Sequence, residues 1–201
     1  MLAATLALAA ALARPHGYEP CAHPPHRPAP RSTSESRAAT REEIRLAVAE
    51  LGGSPSFATY LIAVAHREST LRAGVIHTGD AAHADAAYRR LRRQHIAAGH
   101  PFARARDLWL SYGLFGQNSN YYADEVADPR ELCTISGAIG AYASAGAKAL
   151  RRMQRLCVAA PTWADLHRAL QGGKLCPDGG FERIPPRLAA ERVSPADLGR
   201  R

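Results

Sequence analysis

The sequence predicts a mostly helical fold in one domain. Apolar residues recur at three- and four-residue spacing in several segments, and recognisable start and stop residues bracket these segments. Alternating strand patterns are nearly absent. A length of 201 residues suits one well-cored domain with a leader or a tail and falls short of two full-sized domains.

The first thirteen residues are uncharged and apolar and close on Ala11-Leu12-Ala13, the small-residue pattern of a secretory leader, although no basic stretch precedes them. Residues 1–13 are therefore expected to be a signal peptide, with an Ala-rich helix as the alternative, and the protein is expected to be exported, periplasmic or extracellular. Residues 14–39 follow as a linker: Pro20, Pro24, Pro25, Pro28 and Pro30 stand among Ser, Arg and His, with hardly any large apolar residue to bury. His16, His23 and His26 lie in this stretch, where unordered Pro-rich chain seldom pre-organises metal ligands.

The folded domain is expected over residues 40–201. Thr40-Arg41-Glu42-Glu43 has the form of a capping box opening a helix through Ile44, Leu46, Ala47, Val48 and Leu51, closed by Gly52-Gly53. A second helix follows with Ser54 as cap, Pro55 in its first turn, and Phe57, Leu61, Val64 and Ala65 on one face. A basic helical insertion is predicted near residues 80–99, stopped by Gly99-His100-Pro101, and a short apolar segment carries Leu108, Trp109 and Leu110. Tyr112 to Asn118 is rich in turn formers. Asp128-Pro129-Arg130-Glu131 then starts the longest helix, running to about Arg155, whose small residues Gly137, Ala138, Gly140, Ala141, Ser144, Ala145 and Gly146 leave room for close contacts and place it at the centre. Thr162 caps a last substantial helix through Trp163, Leu166 and Leu170, ended by Gly172-Gly173, and only short helical pieces follow. Trp109 and Trp163 are assigned to the core.

The net charge of +8 favours anionic partners, which for an exported chain include cell-wall polymers. No apolar run reaches the roughly 20 residues a membrane span needs. Cys21, Cys133, Cys157 and Cys176 allow three pairings, among which the sequence does not choose; Cys157 and Cys176 flank a short predicted helix and are the first pair to test. An oxidising compartment would favour one or two disulfides. His66, His77, His83, His95 and His100 lack ligand spacing, and no phosphate-binding Gly loop, Gly-x-Ser-x-Gly elbow or His-Glu-x-x-His motif is present.

Glu68 is the residue that asks for an explanation. It continues the helical line of Phe57, Leu61, Val64 and Ala65, so a carboxyl closes an apolar stripe at a helix C-terminus. An apolar setting and the negative end of the helix dipole both favour a neutral carboxyl, the form a general acid needs. Pairing with Arg67, Arg72 or another arginine at the helix end is the competing reading.

The wider sequence bears on that choice. Leu61-Ile62-Ala63-Val64-Ala65-His66-Arg67-Glu68-Ser69-Thr70-Leu71 resembles the first motif of the soluble lytic transglycosylase family, an apolar helix ending in Glu-Ser. Ser111-Tyr112-Gly113-Leu114-Phe115-Gly116-Gln117-Asn118 is similar to the family's second motif, a Gly-rich segment ending in a substrate-facing Gln. Asp128-Pro129-Arg130 with Gly137 and Tyr142 resembles the third, with Cys133 where the family has Asn and Tyr142 one residue out of step. Ala169-Leu170-Gln171-Gly172-Gly173 resembles the fourth, with Leu for its Tyr and Gln for its Asn. The likeness spans roughly residues 42–175, the basic insertion lying between its first two motifs.

What the resemblance implies is an all-α, lysozyme-like domain that cleaves peptidoglycan glycan strands with Glu68 as its single catalytic carboxyl, without cofactor or metal. Ser69, Ser111, Tyr112, Gln117, Tyr142 and Gln171 would bind substrate, with Gln117 and Gln171 bonding the sugar or its N-acetyl group and Tyr112, Phe115, Tyr121 and Tyr122 offering rings or filling the core. Two-carboxylate glycosidases need a facing second acid, and none stands out; Asp80, Asp85 and Asp107 qualify by composition alone. The competing expectations are a lysozyme-type hydrolase, a catalytically silent glycan-binding module in envelope assembly, and a basic nucleic-acid-binding helical domain. The last would show steeply salt-dependent DNA binding indifferent to Glu68, and nucleic acid is not the expected partner.

Overall fold

The structure, a computed structural model, describes residues 33–72, 76–77, 111–118, 121–122, 124–126, 129–172, 175–176 and 184–199. The leader, the basic helix expected near 80–99 and Trp109 lie outside these residues. Helix α1 spans Ser34–Glu50, α2 Pro55–Ser69, α3 Ile135–Leu156, α4 Trp163–Gly172 and α5 Pro186–Ala190. The described part is mostly helical, as expected, with one small sheet.

Helix α1 begins earlier than the Thr40 capping signal implies. Thr33 is the cap: its hydroxyl accepts from the Ser36 N–H at 3.1 Å, and the Ser36 hydroxyl accepts from the Thr33 N–H at 2.9 Å. No proline follows Pro30 until Pro55, so nothing stops the helix from reaching back, and residues 34–39, read as the end of the linker, are helical. Thr40 sits inside the helix with its hydroxyl donating to the Ser36 carbonyl at 2.9 Å. Ile44 and Val48 are buried as expected, whereas Leu46 lies on the outer face.

Helix α2 starts where its sequence says. The Ser54 hydroxyl accepts from the Phe57 N–H at 3.2 Å and Pro55 occupies the first turn, where the missing N–H costs nothing. Phe57, Tyr60, Leu61, Val64 and Ala65 form its buried face. Helix α3 starts later than the Asp128 signal suggests. Pro129–Cys133 forms a 3-10 turn, and Thr134 caps α3 by accepting from the Gly137 N–H at 3.1 Å. A Cβ on Gly137 would stand 2.3 Å from the Glu131 carbonyl oxygen, so the turn folds onto the helix only because residue 137 has no side chain. Ala138, Ile139, Ala141, Tyr142, Leu150 and Met153 are buried along α3, which packs against α1 and α4. A Cβ on Gly146 would meet Leu198 Cδ1 at 2.9 Å, the close approach that a small-residue face permits.

At α4 the Asp165 carboxylate accepts from the Thr162 N–H and hydroxyl, both at 2.9 Å, and Trp163 is fully buried. The segment 184–199 then returns across the molecule. Trp163 N–H donates to Glu191 O at 3.1 Å, Val193 N–H to Pro161 O at 2.9 Å, and Ser54 N–H to Asp197 O at 2.8 Å, which locks the start of α2.

The sheet was not evident from the strand patterns. Strands β1 (Ile76–His77), β2 (Ser111–Tyr112) and β3 (Gln117–Asn118) pair antiparallel in that order, with Ile76 opposite Tyr112 and Tyr112 opposite Gln117. Strands of two residues are too short to show an alternation. The turn formers of residues 113–116 thus close a hairpin. A disulfide joins Cys157 at the end of α3 to Cys176 beyond α4, with Cα atoms 5.8 Å apart, and Cys133 is disulfide-bonded as well. Among the described residues no helix is long and apolar enough to cross a membrane.

Candidate active site

Helix α2 ends abruptly just after Glu68. The Ser69 hydroxyl donates to the Ala65 carbonyl at 3.0 Å and accepts from the Arg72 N–H at 3.1 Å, and the Leu71 N–H reaches back to Ala65 O at 3.1 Å. That reversal puts Thr70 and Leu71 at φ of 56° and 62°, the left-handed region that non-glycine residues avoid. Each costs about 1 to 2 kcal/mol. Leu71 is buried, so apolar packing offsets part of the strain and pins the chain that leaves Glu68.

The Glu68 side chain is 28% exposed, and its Oε1 lies 3.7 Å from Arg67 Nε, a loose and partly solvated ion pair. The carboxyl is reached from solvent. Over it lies the β2–β3 turn: a Cβ on Gly116 would stand 3.5 Å from Glu68 Oε2 and 3.6 Å from its Cβ. Gly116 has φ of 59° and Gly113 φ of 68°, so glycine is required twice for the turn itself. Gly113 also has no room, since a Cβ there would overlap the Leu132 carbonyl. Two segments distant in sequence, the Glu-Ser helix end and the Gly-Leu-Phe-Gly turn, therefore meet at one carboxyl.

Behind the carboxyl lies a cluster of buried aromatic side chains. Tyr142 of α3 packs against Phe115 at a centroid distance of 5.5 Å, Tyr60 at 5.9 Å and Tyr122 at 6.4 Å. The Tyr60 and Tyr142 hydroxyls are 2.6 Å apart, and the Tyr60 hydroxyl is 3.1 Å from His167 Nδ1. Gln171 Nε2 donates to the Tyr142 hydroxyl at 3.5 Å. Burial pushes the Tyr142 phenol up to about 12; hydrogen bonds from Tyr60 and Gln171 act against that rise, and the nearby Glu68 charge adds to it. Burial also holds Tyr60 well above the usual phenol range, with the Tyr142 charge and hydrogen bond adding to the rise. Tyr122 is raised too, by burial first and then by the charge on Tyr142.

The residues expected to face a sugar divide sharply. Glu68 and Gln171 are partly open, while Ser69, Ser111, Tyr112, Gln117 and Tyr142 are buried. Gln117 is turned inward, and its Nε2 donates to the Ala138 carbonyl at 3.0 Å, which ties β3 to α3. Ser69 serves the helix end. Phe115 and Tyr122 belong to the core with Tyr112, and Tyr121 alone of the four candidate rings is open, at 75% exposure. Most of the candidate binding residues are thus buried, and only Glu68, Gln171 and Tyr121 among them offer surface.

Tyr60 and His167 were not singled out in the sequence, although a signal was there. Tyr60 stands two helical turns before Glu68 on the same face, and His167 one turn before Gln171. Among the described residues no group of three or more His, Cys, Asp or Glu side chains is placed to hold a metal ion. A concavity of about 300 Å³ between α1 and the start of α2, lined by Arg45, Val48, Pro55 and Ala58, lies at the opposite end of α2 from Glu68. Comparison of the chain with protein-family models, with curated proteins and with solved structures finds no match.

Proposed function

We propose that the protein is an exported, lysozyme-like peptidoglycan lytic transglycosylase that cleaves the β-1,4 bond between N-acetylmuramic acid and N-acetylglucosamine with Glu68 as its one catalytic carboxyl. One observation carries the reading: Gly116 of the turn lies against the Glu68 carboxyl, so the two segments that resemble the family's first two motifs share one site. The partly exposed carboxyl suits an acid that must touch a polymer.

In this chemistry Glu68 gives its proton to the glycosidic oxygen as the bond to C1 of the muramic sugar breaks. The resulting carboxylate then accepts the proton of that sugar's 6-hydroxyl, whose oxygen closes on C1 to form the 1,6-anhydro ring. Glu68 ends protonated as it began, and no water, metal or cofactor takes part. Gln171 stands at the edge of the site to bond the sugar, and the net charge of +8 suits anionic wall polymers.

The burial of Ser69, Ser111, Tyr112, Gln117 and Tyr142 favours one second reading, a silent module that holds glycan without cutting it. Incubation of purified peptidoglycan sacculi with the protein and with Glu68→Gln separates the two. The enzyme releases soluble muropeptides and loses that release on the substitution; the module co-sediments with sacculi and releases nothing in either form.

A further inference from the structure

Helix α3 carries its charge at one end and on one side. It contains no Asp or Glu, and its cations Lys148, Arg151, Arg152 and Arg155 all fall after Ala147. They recur at spacings of three, four and seven residues, which is one side of a helix, while Leu150 and Met153 of the same turns face the core. All four cations are exposed. Lys148 is held by Glu125 at 2.6 Å, whereas among the described residues none of the three arginines has a carboxylate partner. The negative end of the helix dipole accounts for Arg155 in the last turn. Like charges three and four residues apart work against a helix, so the fold itself gives no reason for Arg151 and Arg152.

Where α3 stops, the surface changes character. From Leu156 to Ala160 every side chain is apolar or disulfide-bonded, and all but the half-buried Val158 are exposed, Leu156 at 62%. The Cys157–Cys176 disulfide pins this turn to the chain beyond α4. Arg151 stands about 8 Å along the helix axis from Leu156, and Arg152 and Arg155 stand closer. An apolar tip therefore has a collar of cations without carboxylate partners. A charged polymer would engage the arginines alone. A lipid surface takes both, with apolar side chains about 5 to 10 Å deep at the acyl boundary and guanidinium groups among the phosphates above them.

We propose that the C-terminal end of α3, with the turn from Leu156 to Ala160, is a docking surface for a bilayer rich in anionic phospholipid. Leu156 enters the interface, and Arg151, Arg152 and Arg155 bond the phosphates. Tyr142, which packs behind Glu68, lies about 20 Å back along the same helix, so the docking tip and the candidate active site stand apart. Vesicle binding needs no glycan and is independent of the proposed cleavage.

The test is co-sedimentation of the full chain with vesicles of phosphatidylcholine alone and of phosphatidylcholine and phosphatidylglycerol in equal parts. The wild type is expected to bind the mixed vesicles far more tightly. The triple variant Arg151→Gln, Arg152→Gln, Arg155→Gln is expected to weaken that binding about 100-fold, and Leu156→Ser about 5-fold. Lys148→Ala, whose cation is already engaged by Glu125, is expected to change it little. The altered side chains are exposed, and an unchanged thermal midpoint verifies that each variant is folded. Residues 1–13 are common to all variants, so the comparison isolates the tip. Equal binding to both kinds of vesicle, or wild-type binding by the triple variant, overturns the proposal. Wild-type binding by Leu156→Ser overturns it as well, since charge alone would then suffice and the arginines would belong to a charged polymer.

Discussion

Glu68 sits between two constraints that the backbone imposes on either side of it. The left-handed Thr70 and Leu71 force the chain away from the helix end, and the left-handed Gly116 brings the turn down onto the carboxyl. Strain of this kind persists where the surrounding structure over-determines it, and such places are often functional. Thr70 is exposed, so Thr70→Gly relieves strain without removing packing; chemical denaturation is expected to show a gain of up to about 1 kcal/mol, after the entropy cost of glycine is set against the relief. Gly116→Ala has the opposite sign, losing about 1 to 2 kcal/mol through its φ. It also sets a methyl group 3.5 Å from Glu68 Oε2, an ordinary contact that crowds the carboxyl, so the proposed glycan cleavage is expected to fall further than stability alone accounts for. Glu68 could be found in the sequence because a carboxyl on an apolar helical line is a local pattern. The burial of Gln117 could not: its partner is the Ala138 carbonyl on a helix that begins 18 residues later, and only the packed molecule makes that bond.

Helix starts were legible where one residue caps one helix, as at Ser54 and Thr162, because the hydrogen bond closes within three or four residues. They were misplaced where two caps competed. Thr33 with Ser36 displaces the Thr40 signal, and Thr134 displaces Asp128 once Pro129–Cys133 has wound into a tighter turn. The hairpin carrying Gly116 left no strand pattern, since its strands have two residues each. Helix α4 presents His167 and Gln171 to the tyrosine pair, and the Cys157–Cys176 disulfide closes the chain around it with a sequence separation of 19. A loop of that length contributes about 3 kcal/mol by restricting the unfolded chain. Replacing both cysteines by serine is expected to lower the unfolding free energy in urea by that amount, with a steeper slope because the freed unfolded chain exposes more surface; an unchanged free energy would mean that packing of Trp163 and Leu166 alone holds α4.

Helix α3 at the centre, predicted from its small residues, unites the molecule: α1 and α4 pack on it, and its Tyr142 joins the core to the site. The three buried tyrosines make the fold sensitive to alkali. Their phenols are raised in the folded state, so each stabilises the fold fully below the ordinary phenol value of 10 and ceases to do so as pH climbs from there. For Tyr142, raised to about 12, the loss amounts to roughly 2 to 3 kcal/mol across that window. Thermal melts between pH 9 and 12 are expected to show a falling midpoint above pH 10, with a shallower fall in Tyr142→Phe. The mostly helical class, the central helix and the Cys157–Cys176 pair were within reach of the sequence; the inward turn of the site's polar side chains was not, because it depends on which helix face meets the hairpin. Mass spectrometry of muropeptides released from purified peptidoglycan by the wild type and by Glu68→Gln tests the central claim most directly. Anhydro-ended products from the wild type, reduced at least about 100-fold by the substitution, are the expected result; hydrated reducing ends, or release that Glu68→Gln leaves intact, would contradict it.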